Sequence, residues 1–159
     1  MRATVTALMA ATLTLAPAIA AHEDHHPLAD DIPHHTRDPR TPVELPAALA
    51  AQMLATMRDH RAALQEIREA LAAADYDRAA NIAEERLGMS SRERHGARAM
   101  AGYMPEEMQA MGSAMHRAAS RFAETARDTD GGGDAHPALA ALARVNAHCV
   151  VCHAAYRVR

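Results

Sequence analysis

The chain has only two cysteines, both in its last eleven residues, spaced two apart and followed by a histidine: Cys149-Val-Val-Cys152-His153. No other feature limits the fold as sharply, because Cys-x-x-Cys-His is the attachment signature of c-type haem. Two thiols add across the haem vinyl groups as thioethers, and the adjacent imidazole binds the iron. A zinc site would want further Cys or His at matching spacing, and there is no second Cys pair. A thioredoxin-like pair should follow a strand and open a helix in a βαβ unit. Here the motif instead closes a helical stretch at the chain terminus.

A signal at the other end agrees with that reading. Met1 to about Ala20 has the form of a secretory signal: Arg2, an apolar run from Val5 to Ile19, and the small-residue pattern Ala18-Ile-Ala20. The run is short and broken by Thr and Pro17, so a stable membrane anchor is not expected. Export implies the periplasm, an oxidising compartment where two lone cysteines would otherwise form a disulfide. Covalent haem attachment in bacteria also follows export.

Residues 21–44 are polar and broken by proline, with His22, His25, His26, His34 and His35 clustered among Glu23, Asp24, Asp30 and Asp31. No period supports a helix or strand, so a flexible arm is expected. Its histidines could bind copper, nickel or zinc, against the plainer reading of a solvated linker.

From residue 45 to residue 159 the chain reads as one helical domain. Alanine, leucine and methionine supply the apolar content, aromatics are only 3% and tryptophan is absent, which favours helices. A first helix is expected over about 45–74, with Leu49, Met53, Met57, His60, Leu64, Ile67 and Leu71 recurring at intervals of three and four. A second follows over about 76–87, capped by Asp75 or Asp77 and stopped by Gly88. Residues 88–104 carry no clear period. A third helix begins at Pro105, with Glu106 and Glu107 in its first turn, and runs to about Arg127. A fourth starts at Pro137 and carries Leu139, Leu142, Val145 and the haem motif. The expected fold is all-α: an antiparallel up-down-up-down four-helix bundle. In that arrangement the first turns of the first helix lie beside the last turns of the fourth, bringing Met53, Met57 and His60 to the Cys149–His153 end.

With these features together, the chain resembles the class II c-type cytochromes, the cytochrome c′ family. In that family an exported four-helix bundle ends in Cys-x-x-Cys-His followed by an aromatic and a basic residue, here Tyr156 and Arg157. The resemblance implies one covalent haem c held by Cys149 and Cys152, with His153 as proximal ligand. It also implies a sixth ligand position on the first helix, where low-spin members place a methionine and high-spin members an apolar residue that leaves the iron open to NO or CO. Met57 matches that position. The family commonly has an arginine four residues earlier, where this chain has Met53. Members often pair as dimers, so a homodimer is also implied.

Met57 is therefore the first choice for the sixth ligand. A thioether favours reduced iron and raises the potential relative to bis-histidine ligation. His60 is the rival, since a histidine within an apolar face needs a reason; Met53 is a lesser candidate, and the remaining reading is no sixth ligand. Arg157, one turn beyond His153, can approach the imidazole or a haem propionate. Met104, Met108, Met111 and Met115 have the spacing of a core face, although thioethers also suit Cu(I). His95, His116 and His136 have no partner in the sequence and read as surface residues. The functional expectation is a periplasmic mono-haem electron carrier serving redox partner proteins. The alternatives are a five-coordinate gas-binding cytochrome c′ and a copper-handling protein. All seventeen basic residues are arginine, and the formal net charge of −3 excludes an electrostatic case for nucleic acid. No acid–base pair or nucleophile constellation indicates an enzyme.

Overall fold

A computed structural model describes residues 38–129 and 133–159. The signal segment and the His-rich stretch up to residue 37 lie outside the described residues, as do any metal ligands among them. The described chain is mostly helical, and its helices follow the three-and-four spacing of apolar residues. Helix α1 spans Ala47–Ala72, α2 Tyr76–Arg86, α3 Ala97–Ala101, α4 Glu106–Asp128 and α5 His136–Ala155. A single 3-10 turn, Met89–Ser91, and the five-residue α3 occupy the segment whose sequence has no period.

Two three-residue strands also form. β1, Thr41–Val43, pairs in parallel with β2, Tyr156–Val158, in the register Thr41 to Tyr156 and Val43 to Val158. This corrects the expectation that residues 21–44 have no regular structure: the last part of that stretch is a strand, and its Val43 is buried. The pairing ties the approach to α1 directly to the end of α5.

Helix α1 packs on α2, α2 on α4, and α4 on α5. Their shared core is built largely of alanine. Ala63, Ala70, Ala79, Ala83, Ala119, Ala123, Ala126 and Ala138 are all fully enclosed, around Ile67, Leu87, Phe122 and Val145. Side chains this small let helix backbones approach closely, at the cost of less apolar area per residue. On α5 the buried row is Ala138, Ala141, Leu142 and Val145, whereas Leu139 is 53% exposed. Continuing that row by helical steps reaches Cys149, then Cys152, then Tyr156. The core-facing stripe thus carries both thiols.

The α1–α2 corner is tight. Asp75 Oδ1 accepts from the Arg78 backbone N–H at 3.1 Å, so Asp75 rather than Asp77 is the cap. Helix α1 closes with the paired reverse bonds of a Schellman motif, Asp75 N–H to the Ala70 carbonyl and Ala74 N–H to the Leu71 carbonyl. Ala74 takes the left-handed position at φ 55°, where glycine is usual.

Candidate functional site

One cavity of about 560 Å³ opens where α1, the 92–101 segment, α4 and the end of α5 meet. That volume falls within the roughly 300–1,000 Å³ of sites that enclose cofactor-sized molecules. Its α5 wall contains Cys152 and His153, continuing into Tyr156, Arg157 and Val158 of β2. Its α1 wall contains Met53, Met57 and His60. The expected juxtaposition of early α1 with late α5 is therefore present around one space. Met100, Met104, Met108 and Met115 add thioethers from the other side, so the methionine stripe walls a cavity instead of filling a closed core. Met111 belongs to the same stretch of α4 but not to the lining.

The two thiols sit differently. Cys152 lines the cavity, whereas Cys149 packs at the edge of the core with its Sγ 3.6 Å from the Val145 carbonyl. Both are free and partly buried. Burial pushes both thiols above their ordinary range, and the neighbouring Cys152 pushes Cys149 further. Their place near the negative end of α5 works in the same direction. A redox-active pair needs the reverse, a stabilised thiolate, so a thioredoxin-like role is unsupported.

Arg157 is half-buried in the cavity wall, and its Nε is buried without a hydrogen-bond partner among the described residues. Asp38 approaches it only to 3.6 Å, too far for a hydrogen bond. Asp38 is instead held by Arg40, with Nε and a terminal guanidinium nitrogen at 2.9 and 2.7 Å, which brings the Asp38 carboxyl down to about 2. Arg40 also borders the cavity. A guanidinium in the wall of an apolar cavity is a suitable partner for a ligand carboxylate.

The histidines bring the largest departure from expectation. His95 and His116, read as surface residues, are half-buried and gather round His60, which is only 7% exposed. His60 Nε2 lies 3.4 Å from His95 Nδ1. The ring centroids are 4.9 Å apart for His60–His95, 6.1 Å for His60–His116 and 6.2 Å for His95–His116. His116 Nδ1 stands 2.7 Å from the Leu87 carbonyl, to which it donates. Burial lowers all three imidazoles, His60 to about 4, with the neighbouring rings adding to its shift. All three are neutral at pH 7. A lone His60 was conspicuous in the α1 pattern, but nothing local marks its two partners, which come from other elements. His136, as expected, is exposed.

Among the described residues, no three His, Cys, Asp or Glu side chains already hold their donors converged on a metal position. The chain has no significant match to a family model, a curated protein or a solved structure.

The residues present fit a covalently held haem. The Cys152 thiol and the His153 imidazole stand on the α5 wall with Cys149 one turn earlier at the edge of the core, a thioether stands on the α1 wall, and Arg157 and the methionines complete the lining. By length and composition α5 could also cross a membrane, but its buried row packs on the core.

Proposed function

We propose that the chain is a periplasmic mono-haem c-type cytochrome of the class II kind, an electron carrier built on an antiparallel up-down-up-down bundle of α1, α2, α4 and α5. The observation that carries this reading is the meeting of Cys152, His153, Met57 and Arg157 around one methionine-walled cavity. Haem c, when bound, supplies reversible one-electron exchange at its iron. Cys149 and Cys152 would tether it, and His153 would offer its imidazole to the iron. Met57 would offer its thioether to the iron. His60 is the weaker candidate there, because its Nε2 is engaged with His95 Nδ1. Arg157 and Arg40 face ligand carboxylates, while the methionines exclude water and keep the surroundings apolar, which raises a haem potential. In this reading the role is electron transfer to redox partner proteins.

The visible spectrum of the oxidised holo-protein tests the reading. The expected result is a low-spin, six-coordinate spectrum with the weak far-red band of a thioether–ferric bond, and Met57→Ala abolishes that band. A high-spin spectrum that shifts on adding CO selects the gas-binding alternative. A protein expressed with its attachment machinery that carries no haem refutes both.

A further inference from the structure

We propose that His60, His95 and His116, which line the same cavity as Cys152 and His153, form a second site that binds one borderline divalent transition-metal ion such as Zn2+ or Cu2+ beside the residues proposed to hold haem. The three residues come from α1, the segment ahead of α3, and α4. No helical face or turn requirement accounts for their meeting. Three imidazoles around one point are a recurrent ligand set for such ions. With metal–nitrogen bonds of about 2.0–2.1 Å, two nitrogens of a tetrahedral set stand roughly 3.4 Å apart. His60 Nε2 and His95 Nδ1 are already 3.4 Å apart. His116 supplies the second indication. Its Nδ1–H is committed to the Leu87 carbonyl at 2.7 Å, so its Nε2 keeps the lone pair. A carbonyl on the far nitrogen is the outer-shell contact that orients metal-ligating histidines.

The donors do not yet converge. Closure requires ring adjustments that keep the His60–His95 nitrogen separation while turning both lone pairs towards the side of His116, and His95 is the most exposed of the three. It sits in the polar stretch after the 3-10 turn, next to Gly96, which adopts φ 69°. Ligation also requires lone pairs on both facing nitrogens, so His60 or His95 moves its N–H proton to the ring's other nitrogen, with no change of net charge. The fourth position falls to water or to the Met100 thioether in the same cavity, and a thioether there favours copper.

The test is Zn2+ titration of haem-loaded protein whose arm histidines, His22, His25, His26, His34 and His35, are replaced by alanine. One Zn2+ per chain is expected, with a zinc-edge X-ray absorption spectrum showing three imidazoles. Either His95→Gln or His116→Gln should raise the dissociation constant about 100-fold or more, since even outer-shell changes cost 10–100-fold. His95→Gln, on the more exposed residue, serves if His116→Gln fails to fold. Absence of stoichiometric binding overturns the site, as does unchanged affinity in the variants. Loss of the low-spin haem spectrum in His60→Gln also overturns it, because His60 then belongs to the iron. Failure of the haem reading shows separately, as Zn2+ binding to a chain that carries no haem.

Discussion

His60 shows how a single residue can couple this fold to pH. Burial, reinforced by His95 and His116, lowers its pKa from 6.5 to about 4, while the Asp59 carboxylate opposes the shift. Between those values the unfolded chain binds the proton and the folded chain does not. Stability is therefore full above pH 6.5 and declines as pH falls towards 4, by up to ~3 kcal/mol for this group alone in metal-free protein. His95 and His116, shifted in the same direction, add to the decline. Asp59, held low by Arg86, responds only below the ordinary carboxylate range and so leaves this window clear. Urea unfolding of the metal-free protein should show a lower midpoint at pH 5 than at pH 7.5, and His60→Phe should flatten that difference. Equal midpoints would contradict a neutral buried His60. At this scale the residues proposed to hold haem could be named from spacing, because Cys149, Cys152 and His153 are neighbours in the chain. The imidazole cluster was not, because it is assembled across 35 residues between His60 and His95 alone.

The helices themselves were legible because each has a clear apolar period and conventional ends. Pro105 before Glu106 and Glu107, Asp75 ahead of α2, and Pro137 at the start of α5 all fall within a residue or two of the observed boundaries. Residues 88–104 resisted for a physical reason. Their polar run has no face to bury until α1 and α4 surround Met100 and His95. Two substitutions test the α1–α2 corner. Asp75→Ala removes the cap on the Arg78 N–H and should destabilise by about 1 kcal/mol. Ala74→Gly should stabilise, because the left-handed backbone at φ 55° costs an L-residue roughly 1 kcal/mol and glycine little. Thermal unfolding reads both. A neutral Ala74→Gly would mean the corner strain is relieved elsewhere.

At the scale of the whole molecule, an alanine core makes stability depend on a few large side chains. Phe122 is the sole phenylalanine and has no exposed surface. Phe122→Ala should cost about 3–5 kcal/mol, a large share of the 5–15 kcal/mol typical of such domains. A midpoint unchanged in denaturant would show that the neighbouring helices collapse into the space. The β1–β2 clasp also belongs to this scale. Three residues on each side form too short a run to read as strands, and they pair only because the fold brings residue 41 to residue 156. Local information sufficed for what is local: a helical chain, its boundaries, and a haem-attachment signature, all set by neighbouring residues and periods of a few positions. Only the tertiary structure decided that the methionine stripe walls a cavity, that Arg157 joins the wall of that cavity, and that three histidines from separate elements meet. Those outcomes follow from which faces pack together, and no segment of the chain carries that information alone.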